Sequence, residues 1–353
     1  MHRGLLLLCS CVLLAGCGKS ALPLGVPRAP VDRTWLGTFA NGSDQGVLVI
    51  DVVQTGHELR GQLVFGHEPT EHLYVQGSLL GDSLQLGLDS SHGPYGFTFA
   101  VRGRVRADAG LDGHMAFSLT GLAADITCRS LPRLRVSNEA SIDVPYAVEA
   151  MAFFEDDLWL STTTSDYVRM SLAGAVRDTV IVYYSVGTRW TSSALTSDGT
   201  RLWGFLPGTV GSPSGSYGYS DLLSFNAEGR LADSLRLWHR TGGLAFDGLD
   251  FWSLRADEPK LYRVRRFGAV VDSEQLGIPD AVHLEFDGEH FWTLGWSMKR
   301  LYQCDFAGRP LAIGDLPGED TGSLDGGLTL AGSHLWYAET HAGYSTLHRL
   351  SVP

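Results

Sequence analysis

Five tryptophans recur at nearly equal intervals through the second part of the chain. Trp159, Trp203, Trp252, Trp292 and Trp336 lie 44, 49, 40 and 44 residues apart. Each closes the same kind of phrase: Ala-Met-Ala-Phe-Phe-Glu-Asp-Asp-Leu-Trp159, Ala-Leu-Thr-Ser-Asp-Gly-Thr-Arg-Leu-Trp203, Gly-Leu-Ala-Phe-Asp-Gly-Leu-Asp-Phe-Trp252, His-Leu-Glu-Phe-Asp-Gly-Glu-His-Phe-Trp292 and Gly-Leu-Thr-Leu-Ala-Gly-Ser-His-Leu-Trp336. An apolar run, a turn of the Asp-Gly type and a second apolar run make a β-hairpin. A further turn follows at Gly174, Gly229, Gly268 and Gly308, which lie 15, 26, 16 and 16 residues after their tryptophans. It separates a third strand from a fourth. Four strands in about 40–45 residues is the unit of a β-propeller, so five repeats predict five blades.

The fifth unit is short by one strand, because the chain ends at Pro353, 17 residues after Trp336, where the second turn should fall. A matching segment lies upstream: Ser141-Ile-Asp-Val144 aligns with Val270-Val-Asp-Ser273 of blade three. It is expected to close the ring by pairing with the C-terminal strand around residues 345–352, which would also hide an open sheet edge. The first of the two parts, from Thr34 to about Leu131, is strand-like throughout, with short β-branched or aromatic runs such as 47–53, 59–65, 73–79, 97–103 and 114–119 separated by Gly, Asp, Ser and His turns. The fold class that follows is all-β: a small antiparallel β-barrel or sandwich of about six to eight strands, then a five-bladed β-propeller.

Composition agrees with an ordered, turn-rich chain: 43 glycines in 353 residues, 44% hydrophobic and 19% charged. The balance of 27 Lys+Arg against 39 Asp+Glu leaves a formal charge of −12. That sign opposes an electrostatic grip on phosphate backbones, and no basic cluster overrides it. Nucleic acid is excluded as an expected partner.

Met1 to Gly16 has a short basic start, an apolar run over residues 5–14 and small residues at its end, the parts of a secretory signal. The run is too short to span a bilayer, which takes about 20 residues. Leu14-Ala15-Gly16-Cys17 resembles the lipobox of bacterial lipoproteins. That resemblance implies cleavage before Cys17, acylation of Cys17 and a lipid anchor in the cell envelope; Gly18 in place of Asp is compatible with the outer membrane. Residues 1–16 are thus read as a lipoprotein signal peptide, 17–32 as a tether, 33–131 as the small β domain and 132–353 as the propeller, closed by strand 141–144. Cleavage would leave Cys128 and Cys304 as the unmodified thiols, which are either unpaired core residues or a disulfide allowed in an oxidising compartment.

Two further resemblances concern the folded parts. Trp35-Leu-Gly-Thr-Phe39 is similar to the Trp-x-Gly entry of lipocalin-like and avidin-like barrels, and implies shape alone. The repeat over 133–353 resembles the Gly-Leu-Ala-Phe-Asp-Gly-x-x-Leu-Trp blades of NHL and SMP-30 propellers. It implies fold and leaves function open, since one propeller fold serves unrelated tasks. The repeated tryptophans are read first as core.

Five blades converge on a narrow axis, and the inner strands carry small residues at alternate positions: Ala150 and Ala152, Ala194 and Thr196, Gly243 and Ala245, Gly327 and Thr329. Blade four departs with His283 and Glu285, two apart and so expected on one face. Asp325 shares this parity in blade five, and Glu149 stands near the mouth of the channel. Such a set could hold a divalent metal or move a proton, or could be a hydrogen-bonded plug. Blade two carries an insertion rich in Gly and Ser around Tyr217 and Tyr219, read as a ligand-binding loop or an elongated turn.

SMP-30-type lactonases hold a divalent ion with Glu and Asn or Asp, yet the chain has only Asn41, Asn138 and Asn226, none on an inner strand of the repeat. The Gln-Gly-Leu-like first strand of five-bladed glutaminyl cyclotransferases has no counterpart in Val148-Glu-Ala-Met-Ala-Phe153. The expectation is a non-catalytic binding or scaffold lipoprotein that engages the membrane through Cys17 and an envelope protein, peptide or glycan through its propeller, with no required cofactor. The alternative is a lactonase-like or cyclotransferase-like envelope enzyme using Glu149, His283, Glu285 and Asp325.

Overall fold

The computed structural model describes residues 31–352, apart from 42–43, 66–71, 90–97, 118–122, 186–187, 190–191, 213–214, 238–240, 256–259, 296–297, 319–323 and the single positions 165, 267, 279 and 325. The chain divides between Pro132 and Arg133 into two compact units. The signal segment, the lipobox with Cys17 and most of the expected tether lie outside the described residues. Where description begins, Val31 and Asp32 already belong to a strand.

In the first unit, β1 (Val31–Asn41), β2 (Asp44–Thr55), β3 (Glu58–Phe65), β4 (His72–Leu80), β5 (Ser83–Leu88), β6 (Phe99–Val105), β7 (Leu111–Phe117) and β8 (Ala123–Ser130) form a closed antiparallel barrel in sequence order. β1 closes it by pairing with β8, with Gly37 opposite Cys128. A Cβ at Gly37 would sit 2.1 Å from the Thr127 carbonyl oxygen, so glycine allows this seam. Alternate residues such as Leu48, Ile50 and Val52 of β2, and Leu84, Leu86 and Leu88 of β5, fill the interior with Trp35. The buried indole of Trp35 donates to the Ala109 carbonyl oxygen at 2.9 Å.

β9 (Ser137–Val144) opens the second unit and belongs to its last sheet. Blade one is β10 (Val148–Phe154), β11 (Asp157–Thr162), β12 (Tyr167–Ser171) and β13 (Val176–Val180). A small hairpin, β14 (Tyr183–Ser185) with β15 (Thr188–Arg189), leads to blade two: β16 (Leu195–Ser197), β17 (Leu202–Ser212), β18 (Gly215–Phe225) and β19 (Leu231–Leu237). Blade three is β20 (Thr241–Phe246), β21 (Phe251–Arg255), β22 (Lys260–Val264) and β23 (Val270–Gln275). Blade four is β24 (Ala281–Phe286), β25 (Phe291–Gly295), β26 (Arg300–Cys304) and β27 (Pro310–Asp315). Blade five orders β28 (Leu328–Ala331), β29 (His334–His341), β30 (Tyr344–Ser351) and then β9. Val144 stands opposite Ser345, and Ser141 opposite His348.

The repeated phrase explains the blades. Gly199, Gly248, Gly288 and Gly332 all take positive φ at the first hairpin, and Glu155 and Asp156 do so in blade one, where no glycine is present. Each tryptophan shares a buried cluster with the residue before the tryptophan of the next blade. Trp203 packs on Phe251 at 4.8 Å between centroids and Trp252 on Phe291 at 4.9 Å. Trp159 clusters with Leu202, Trp292 with Leu335, and Trp336 with Leu158 of blade one. The sequence period is therefore a packing period that returns on itself after five units. Cys128 and Cys304 are both buried and neither is in a disulfide.

Candidate functional site

The axis of the propeller is lined by Ala150, Met151, Ala194, Leu195, Leu244, His283, Leu284, Gly327 and Leu328, at least one residue from each blade. The long aliphatic side chains share the lining with the small residues, and the space left for water is about 10 Å³. That is at the lower limit for a single water molecule. Inner strands meet so closely that a Cβ at Gly243 would lie 2.7 Å from the His283 carbonyl carbon. At Gly327, φ +101, it would lie 2.5 Å from the Met151 nitrogen.

His283 and Glu285 do not stand side by side as simple alternation requires. The register of β24 on β25 shifts between Val282, opposite Leu294, and Glu285, opposite Trp292. This is a bulge, with an extra residue in β24. His283 takes φ +54 there. Its Nε2 lies 2.9 Å from the Leu324 carbonyl oxygen, and its own carbonyl accepts from Thr293 Oγ1 at 2.8 Å. Glu285 reaches the other way, accepting from the Leu330 N–H of blade five at 3.1 Å and from the Phe286 N–H at 2.9 Å. Burial pushes its carboxyl up to about 7, more than these donors pull it down. Both residues join blade four to blade five.

Glu149 sits at a register irregularity of β10, half-buried, where its charge raises the phenol of the buried Tyr167 as a smaller contribution than burial itself. Asp325 and Cys17 lie outside the described residues. Among the described residues, no group of three or more His, Cys, Asp or Glu side chains could hold a metal ion.

The blade-two insertion is paired strand instead of a loop. β17 and β18 run 11 residues each, with Tyr217 opposite Val210 and Tyr219 opposite Gly208. β16 pairs only with Leu202–Gly204, and β19 only with Ser220–Phe225. Residues 208–212 and 215–219 thus continue as a two-stranded ribbon beyond the four-stranded sheet. The register runs unbroken through the Gly/Ser-rich stretch, from Pro207 opposite Ser220 to Ser212 opposite Gly215.

Sequence reasoning missed a second polar constellation, on blade five. Glu339 of β29, 2% exposed, takes Lys299 Nζ on Oε1 at 2.8 Å and faces His348 Nε2 with Oε2 at 3.5 Å. The His348 ring stacks on Tyr337, 4.7 Å between centroids and 14° between planes. The Tyr337 hydroxyl donates to the Pro317 carbonyl oxygen. On its other edge, His348 Nδ1 is 3.1 Å from Ser141 Oγ and 3.4 Å from Asn138 Nδ2, and Asn138 Nδ2 donates to Ser141 Oγ at 2.8 Å. Closure of the ring by β9 brings this group together from the two ends of the unit. The only trace in the sequence is a serine in the closing strand and a histidine in the last one.

The chain is thus an all-β protein, a closed eight-stranded barrel followed by a five-bladed β-propeller. No family model and no curated protein matches it. Among solved structures it is similar to the glutaminyl cyclase of Myxococcus xanthus, at 14% identity and TM-score 0.48, over 63% of this chain and 99% of that one. It is also similar to a streptogramin B lyase, at 12% and 0.34, over 83% and 90%. A third is the calcium-binding protein regucalcin of Agrobacterium tumefaciens, at 14% and 0.32, over 71% and 86%.

Proposed function

We propose that this protein is a lipid-anchored envelope protein whose propeller acts as a binding or scaffold module, with the β17–β18 ribbon as its recognition element. The narrow axis carries the proposal: its pocket has room for about one water molecule, and His283 and Glu285 are engaged in joining blades. What distinguishes one blade from the others is the ribbon, whose Gly, Ser and Tyr composition suits adaptable contacts of low entropy cost. Anchoring rests on Leu14-Ala15-Gly16-Cys17, since several acyl chains hold a protein on a membrane where one does not.

The test is capture from envelope extract with the full chain and with a variant whose residues 208–219 are replaced by a two-residue Asn-Gly turn. The expected result is a retained partner for the full chain and its loss from a variant of unchanged melting temperature. Equal capture by both would overturn the role of the ribbon. Incorporation of a fatty-acid probe that disappears in Cys17→Ala tests the anchor.

A further inference from the structure

The constellation on blade five has the parts and the order of a nucleophilic relay. The amide nitrogen of Asn138 can only donate. Its placement beside His348 Nδ1, together with the Ser141 hydroxyl, makes Nδ1 the acceptor. The imidazole proton then sits on Nε2, 3.5 Å from Glu339 Oε2, within reach of its charge but not hydrogen-bonded to it. Stacking on Tyr337 fixes the ring plane, and Lys299 holds the second carboxylate oxygen. His348 and Glu339 are buried, whereas Ser141 is exposed on the outermost strand of the sheet. A solvent-facing hydroxyl backed by a buried base and a buried carboxylate is the arrangement that activates serine, recognised by geometry and roles whatever the fold.

We propose that Ser141, His348 and Glu339 form a serine-nucleophile site that cleaves carboxylic esters at the outer edge of blade five. Ser141 Oγ attacks the ester carbonyl carbon while its proton passes to His348 Nδ1. The carbon–oxygen bond to the alcohol breaks, and that proton leaves with the alcohol. Water then attacks the acyl-serine, gives a proton to His348, and releases the carboxylic acid as the proton returns to Ser141. Asn138 Nδ2 donates to Oγ at 2.8 Å and can stabilise it as its charge develops. Glu339 is a positioning residue whose facing charge, 3.5 Å from Nε2, opposes the positive charge of the imidazolium. Burial lowers the His348 pKa, and the facing charge of Glu339, with a smaller contribution from Asp143, opposes this, while His341 adds to the lowering. The imidazole is therefore neutral and able to accept at pH 7.

The experiment uses the full chain with two probes, a fluorophosphonate and p-nitrophenyl acetate. The expected result is a phosphonyl adduct mapped by peptide mass to Ser141, and ester turnover that falls about 100-fold or more in Ser141→Ala. Glu339→Gln is expected to slow acylation at least tenfold and to move its pH profile, which a merely structural contact would not do. An unlabelled Ser141 in the folded wild-type protein, or the same turnover in Ser141→Ala, overturns the proposal. The adduct map is read on the wild-type chain, so it decides the matter even where a variant fails to fold.

Discussion

The indole N–H of Trp252 ends on Asp247 Oδ2, 2.7 Å away and five residues earlier in the chain. The other oxygen of Asp247 accepts the N–H groups of Leu249 and Asp250 at 2.8 and 2.7 Å, so one carboxylate holds both the turn and the core residue behind it. Blade four repeats this with Asp287 and Trp292. In blade one, Trp159 donates instead to the Phe154 carbonyl. Blade five has Ala331 at the equivalent position, and the Trp336 indole nitrogen has no hydrogen-bond partner among the described residues.

Asp247→Ala should therefore strand a buried indole donor and two turn amides together. A loss of about 1–3 kcal/mol in denaturant unfolding is expected. Asp247→Asn, which keeps an acceptor for the turn, should lose less. Burial would raise the Asp247 carboxyl, but its N–H donors hold it below the ordinary value of 3.8. Its stabilisation is present above that value and is lost as pH falls through the lower folded-state pKa.

Glu285 has the opposite sign. Its folded-state pKa of about 7 stands above the ordinary 4.5. The associated stability is full below 4.5 and is lost as pH rises through 7. The melting temperature of the wild type should drop between about pH 4.5 and pH 7 and level off above that, by roughly 2–4 °C for each kcal/mol lost. Glu285→Gln should remove that slope. Calorimetry across the range checks it, and a parallel decline in the variant would show that another group is responsible.

At the axis, Gly243→Ala and Gly327→Ala should each cost about 1–3 kcal/mol or more, because the added methyl meets backbone that has no space to yield. Gly327→Ala should be the worse of the two, since it also forces a side chain onto φ +101. Paired urea titrations rank them, and neutral substitutions would mean that the inner strands can part.

Removal of residues 346–353 takes away most of β30, including the fully buried Leu347 and Leu350. β9 then has no partner strand. The propeller should lose its cooperative unfolding transition, seen as loss of the near-UV dichroism of its tryptophans, while the barrel unit keeps its own. An unchanged transition would mean that four blades and a half sheet suffice.

The repeat was legible because a packing period of one tryptophan per blade leaves a period in the sequence, and the positive-φ turns demand glycine where Gly248 and Gly288 stand. The relation of His283 to Glu285 was not legible: parity in a strand assumes two residues per repeat, and the bulge at His283 adds one. The ribbon hid for a different reason. Its Gly/Ser composition is that of a loop, and only the cross-strand register of Tyr217 on Val210 reveals a hairpin. The Ser141–His348 contact joins positions 207 apart, a distance over which local pattern carries no information about register.

β9 lies before blade one in the chain and beside β30 in space, with Asp143 and Thr346 hydrogen-bonded across a separation of 203 residues. β30 is thus the strand that β9 waits for. During synthesis, blade one can form early, but the circle has no way to shut until β30 has emerged. A chain stopped short leaves two open sheet edges, which invite aggregation and degradation. The clasp makes synthesis through β30 a condition of the propeller's survival.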